Sequence, residues 1–117
     1  MVSVNGRINL GGQAQVSAIL TGPVRTSETS RTGLIFAHGA GNDMHNPLIV
    51  SVAEGLAKAG SVTLRFNFPY KEKGKKSPDV QTKLVHTLQC AYEYMQHNQK
   101  FPVRRIIAVG KSMGGRV

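Results

Sequence analysis

Two short stretches of this chain hold residue types that could do chemistry. Gly110-Lys111-Ser112-Met113-Gly114 follows the apolar run Ile106-Ile107-Ala108-Val109, and His38-Gly39-Ala40-Gly41 closes the apolar run Leu34-Ile35-Phe36-Ala37. The first could cradle a phosphate or aim a nucleophile. A phosphate-binding loop needs the pattern G-x-x-x-x-G-K-[ST], whose glycine-rich turn wraps backbone N–H groups around the anion. Counting back from Gly110, its first glycine would fall at 105, where the sequence has Arg105, and Ile106 to Val109 are strand-like. No loop is left to form the cradle.

The pattern G-x-S-x-G fits instead. A serine on a sharp strand-to-helix turn is held with its hydroxyl projecting above a sheet edge. Larger side chains at the flanking positions would meet neighbouring backbone, which is why Gly110 and Gly114 suit them. Ser112 is then the candidate nucleophile, and the helix expected after it would turn its N-terminal dipole towards a developing oxyanion. The second stretch complements the first. In hydrolases built this way, one oxyanion donor comes from the loop after the third strand and the other from the residue after the serine. Met113, the residue after Ser112, is then the expected donor on one side, and the His38–Gly41 loop is expected to supply the other. Gly41 keeps the main chain open to a substrate carbonyl, and His38 is expected to hold the loop through its ring.

The remaining reactive side chains fit blander roles. Asp43 reads as a turn former with Asn42, His45 as a loop residue, and Lys111 as a solvated charge. His86 and His97 fall on the second helical stretch, and Cys90 reads as a small core or boundary residue. Neither His38 nor His45 suits the general base, because in this arrangement the chain order is Ser, then Asp or Glu, then His. Both partners are therefore expected after residue 117, so the sequence reads as the N-terminal part of one hydrolase domain covering residues 1–117. Alone, it is expected to be inactive and poorly folded.

The elements that must position these residues can be read from periodicity. Residues 2–10 and 13–20 alternate on either side of Gly11-Gly12 and predict a hairpin. Residues 34–39, 61–68 and 104–109 are short apolar runs and predict buried strands. Asn46 and Pro47 open a helix with Leu48, Val52 and Leu56 at every fourth position, which Gly60 stops. Ser77-Pro78 predicts a second helix carrying Val80, Leu84, Leu88 and Met95 on one face. Strands separated by helices imply an α/β architecture, here a mostly parallel sheet preceded by an antiparallel hairpin.

With these motifs in place, residues 33–117 resemble the α/β-hydrolase-like proteins related to dienelactone hydrolases, the group that includes a testis-expressed protein and a histone-acetyltransferase-complex subunit. The resemblance rests on "LIFAHGAGNDMHNPLIVSVAEGLAKAGSVTLRFNFPY" and "GKSMGGR". It implies an α/β-hydrolase fold with Ser112 as nucleophile, and with Ala40 and Met113 as backbone donors, Gly39 being the fallback for Ala40. Since some members of that group act as scaffolds, a catalytically silent interaction domain is the alternative to an esterase-like serine hydrolase. An aminopeptidase or thioesterase would use the same machinery.

Bulk composition narrows the classes. The chain has 117 residues, 40% of them hydrophobic, and one cysteine, which excludes an intramolecular disulfide and fits a reducing, cytoplasmic setting. No run approaches the roughly 18 apolar residues of a membrane span, and no secretory leader is expected. Fifteen Lys and Arg against six Asp and Glu give a net charge of +9. The cluster at Lys71, Lys73, Lys75 and Lys76 lacks aromatic interleaving, so it reads as a solvated loop rather than a specific nucleic-acid surface. The expected partner is a small-molecule acyl substrate, and no cofactor or metal is called for.

Overall fold

A computed structural model describes residues 1–23 and 32–110. The hairpin is β1 (Val2–Gly11) and β2 (Ala14–Gly22). Its turn places Gly11 at φ 110° and Gly12 at φ 57°, where a side chain would be strained. Next come β3 (Thr32–Ala37), α1 (Pro47–Lys58), β4 (Val62–Phe66), α2 (Pro69–Glu72), α3 (Gln81–His97) and β5 (Arg105–Gly110). The five strands lie in the order β1-β2-β4-β3-β5. The hairpin joins β4 antiparallel, whereas β4, β3 and β5 run parallel. The sheet is therefore mixed, and the α/β class and the leading hairpin are as expected.

Side-chain alternation divides the core between two faces. Ile35, Val62, Leu64 and Phe66 belong to the larger cluster, with Leu84, Ala91 and Met95 of α3. Phe36 turns the other way and packs with Ile49 and Ala53 of α1. β4 is buried along its whole length, as a central strand covered on both sides must be. β1 instead alternates between covered and exposed positions, the pattern of an edge strand with one solvated face.

The helices depart from the sequence reading in three ways. The Asn46 cap and Pro47 start hold, with the Asn46 side chain accepting from the Leu48 and Ile49 N–H groups. The deeply buried residues of α1, however, are Ile49, Ala53 and Ala57, while Leu48 and Val52 are 56% and 42% exposed. Small residues let the helix axis approach the sheet, so the larger aliphatics are displaced to its flank, beside β5. Residues 69–72 form a helical turn, α2, where only a basic loop was expected. Ser77-Pro78 does not cap α3, whose N-cap is Val80 with no side-chain bond. The reason is next door: Asp79 Oδ2 accepts the Tyr70 N–H at 2.9 Å, which ties this segment to α2 and delays the helix. Val80 is consequently 70% exposed rather than on the buried face.

Candidate active site

Parallel pairing of β3 with β5 sets Ala37 opposite Gly110. The last residue before the His38–Gly41 bend and the first glycine of the G-x-S-x-G stretch therefore share one end of the sheet, on adjacent strands. Lys111, Ser112, Met113 and Gly114 lie outside the described residues.

His38 is fully buried. Its Nε2 accepts the Phe68 N–H at 3.0 Å, which leaves Nδ1 to donate to the Gly39 carbonyl at 3.0 Å. The two partners thus define the neutral tautomer with its proton on Nδ1. The ring meets Phe68 edge-on, with centroids 5.0 Å apart, and lies 5.9 Å from Tyr70. Burial pushes the His38 pKa down, against the Gly39 carbonyl and the Asp43 charge, while Lys71 pushes the same way as burial. Held uncharged and occupied at both nitrogens, His38 ties the start of the bend to the end of β4.

The bend itself is a turn closed by the Asn42 N–H on the Gly39 carbonyl at 3.2 Å. Gly39 is buried and Ala40 exposed. Gly41 has φ 79°, so only a glycine is comfortable there. Asp43 Oδ1 accepts the His45 N–H at 2.8 Å, a local turn bond rather than a catalytic contact. Asn46 Nδ2 reaches back to Asn42 Oδ1 at 3.0 Å, so the α1 cap also steadies the turn.

Three residues that the sequence reading did not single out complete the surroundings. Arg65, 5% exposed, donates from Nη1 to the Met44 carbonyl at 2.8 Å. Burial lowers its pKa, opposed by the Glu54 carboxylate. Asn67 Oδ1 accepts the Met44 N–H at 2.8 Å. The Tyr70 hydroxyl is buried beside the bend; burial and the Asp79 charge raise its pKa, while the nearby Gly41 backbone opposes them. The available signal was Arg65 itself, a lone cation inside the apolar strand Val62-Thr63-Leu64-Arg65-Phe66, because buried charge is retained only where it is paired or hydrogen-bonded.

The other reactive side chains are engaged elsewhere. His86 Nε2 bonds the Leu10 carbonyl at 2.8 Å. Cys90 Sγ lies 3.6 Å from the same nitrogen, but burial and Glu93 raise its pKa, so the thiol is not activated. His97 closes α3 and His45 is exposed. Among the described residues, no group of three or more His, Cys, Asp or Glu is placed to hold a metal ion, and no helix is long and apolar enough to cross a membrane.

A mixed sheet flanked by helices, with a small-residue bend and a glycine at adjacent parallel strand ends, describes a class of protein. The family model for the alpha/beta hydrolase domain matches residues 30–117. The chain belongs to that family. No curated protein matches it. Among solved structures, it is similar to a dienelactone hydrolase from Anabaena variabilis at 24% identity and a TM-score of 0.77, covering 97% of this chain and 53% of that one. An alpha-beta serine hydrolase homologue from Coxiella burnetii is 27% identical with a TM-score of 0.74, over 97% and 54% of the two chains. Est1E from Butyrivibrio proteoclasticus, solved with ferulic acid bound, is 26% identical with a TM-score of 0.80, over 94% and 43%. The chain thus spans about half the length of the structures it resembles.

Proposed function

We propose that this chain carries the nucleophile and oxyanion-binding half of a serine hydrolase that cleaves an ester or related acyl bond. The observation that supports the reading most is the register of β3 on β5, with Ala37 opposite Gly110. It brings the His38–Gly41 bend and the start of the G-x-S-x-G stretch to the same sheet end. In this reading Ser112 Oγ attacks the acyl carbonyl carbon while a histidine takes its proton. The carbonyl oxygen becomes an oxyanion received by the Ala40 and Met113 N–H groups, with Gly39 as the alternative donor to Ala40. Collapse breaks the bond to the leaving alcohol, which takes the proton, and water then releases the acyl group from Ser112 by the same route in reverse. The histidine and its Asp or Glu partner are assigned to sequence after residue 117, following the chain order of the fold. The substrate is a small acyl compound and the setting is cytoplasmic, where the single Cys90 stays reduced.

The test is activity-based labelling of the full-length protein. A fluorophosphonate probe should modify Ser112, and Ser112→Ala should abolish both labelling and turnover of p-nitrophenyl acetate. Labelling that persists in Ser112→Ala refutes the assignment of the nucleophile. A full-length protein that neither labels nor turns over, despite holding Asp or Glu and His in order, supports the silent interaction domain instead.

A further inference from the structure

Both backbone polar groups of Met44 are gripped from one strand end. Asn67 Oδ1 accepts its N–H and Arg65 Nη1 donates to its C=O, each at 2.8 Å. Arg65 lies in β4 and Asn67 just past its end, two residues apart, and both side chains reach Met44. Met44 is itself buried and lies three residues beyond Gly41. The near end of the same loop is held by the next residue along, through the Phe68 N–H on His38. The segment 65–68 therefore grips the loop 38–44 at both ends.

The grip on Met44 is itself supported. Asn67 Nδ2 donates to Glu72 Oε2 at 2.8 Å, which fixes the amide so that its oxygen faces Met44. Glu72 Oε1 accepts from Ser17 Oγ at 3.0 Å and lies 3.4 Å from Arg7 Nη1. The Asn67 N–H is anchored on the Ser17 carbonyl at 3.1 Å. Asn67 is thus locked between β2 and α2, and a locked side chain can hold a loop to within the tolerance that catalysis demands.

A buried guanidinium at this point is an expensive way to satisfy one carbonyl. An aliphatic residue would suit the α1-facing side of β4 at lower desolvation cost. What the charge adds is a strong, directional bond to a single backbone oxygen. We infer that Arg65 and Asn67 are positioning residues: by clamping Met44 they set the height of the His38–Gly41 bend, and so the placement of its oxyanion donor. This inference rests on the hydrolase reading above for its catalytic consequence, but not for its structural half.

The test uses the full-length protein and the variants Asn67→Ala, Arg65→Met and Arg65→Lys. Amide hydrogen exchange reports the clamp directly. The Met44 amide should exchange about tenfold faster in Asn67→Ala, the scale of losing one ordinary hydrogen bond, with the acceleration confined to the 39–46 segment. On p-nitrophenyl acetate, kcat should fall about tenfold to a hundredfold with KM little changed, as expected when a reacting group is misplaced. Arg65→Lys, which keeps a donor, should recover part of the loss seen in Arg65→Met. A purely structural role would instead lower the melting temperature and leave kcat intact at temperatures where the variants are folded.

Unchanged exchange at Met44 in Asn67→Ala overturns the clamp, and faster exchange with an unaltered kcat overturns the positioning role. Should Arg65→Met not fold, the smaller change Asn67→Ala decides the matter. If wild-type protein fails to label at Ser112, the hydrolase reading falls separately, and exchange alone then decides whether Met44 is clamped.

Discussion

At the scale of single residues, His38 gives the sharpest consequence. It is buried as a neutral ring with both nitrogens in use, and its pKa is lowered from 6.5 mainly by burial. In the unfolded chain the same ring titrates at its ordinary value. As pH falls below about 6.5, the unfolded chain therefore binds a proton that the folded protein resists, and stability declines until the lowered folded-state pKa is reached. Above that window the contribution is complete. The slope from this one group is at most about 1.4 kcal/mol per pH unit. Urea unfolding of the full-length protein between pH 7.5 and 5 should show the decline, and His38→Asn should flatten it while keeping an acceptor for Phe68. Equal slopes in the two proteins would remove His38 as the cause.

At the scale of elements, the packing of α1 and of the hairpin can be tested by small changes. Asn46 caps α1 through two backbone N–H groups, so Asn46→Ala should cost about 1 kcal/mol. The change also releases Asn42, which its amide holds. Gly22 lies under the Phe101 ring, where an added Cβ would come within 2.5 Å of Cδ1. Phe101 is buried and its N–H is held by Asn98 Oδ1 at 2.7 Å, so the ring cannot simply swing away. Gly22→Ala should therefore destabilise by about 1–3 kcal/mol through overpacking. Chemical denaturation midpoints measure both changes, and a neutral Gly22→Ala would show that the ring yields freely.

The same elements show what the sequence could and could not disclose. Strands were legible because continuous apolar runs and period-two alternation are direct results of burial on two faces or one. The cap of α1 was legible because capping chemistry is local. The face of α1 was not: Leu48 and Val52 follow a helical period as well as Ile49, Ala53 and Ala57 do. The distance to the sheet decides between them, and that distance is a tertiary quantity. The start of α3 escaped for a similar reason, since Asp79 bonds Tyr70 nine residues earlier and overrides the Ser77-Pro78 signal. In the candidate site, the bend was visible as glycine spacing. The clamp on Met44 was not, because its partners lie 21 and 23 residues away and meet only once β4 is laid beside β3.

At the scale of the whole molecule, β5 is the element least covered. Its six residues are exposed or half-buried, although it is apolar from Ile106 to Val109. Ile107 is 45% exposed. A groove lined by Phe36, Leu48, Val52 and Val109 lies on the α1 side, and one lined by Ile35, Leu88, Tyr92 and Ala108 lies on the α3 side. Among the described residues β5 pairs only with β3, so its outer edge is a row of open backbone donors and acceptors. Exposed apolar surface on both faces of an unpaired strand favours association. The 117-residue chain expressed by itself should thus bind the dye ANS and self-associate with rising concentration, and it should not hydrolyse p-nitrophenyl acetate. Ile107→Lys should reduce the association without touching the β3 pairing, because it places a charge on the open strand and alters no backbone bond. Sedimentation velocity read alongside ANS fluorescence measures this, and a monomeric, dye-silent 117-residue chain with a cooperative melt would mean that the flanks of β5 are covered in a way that α1 and α3 do not provide.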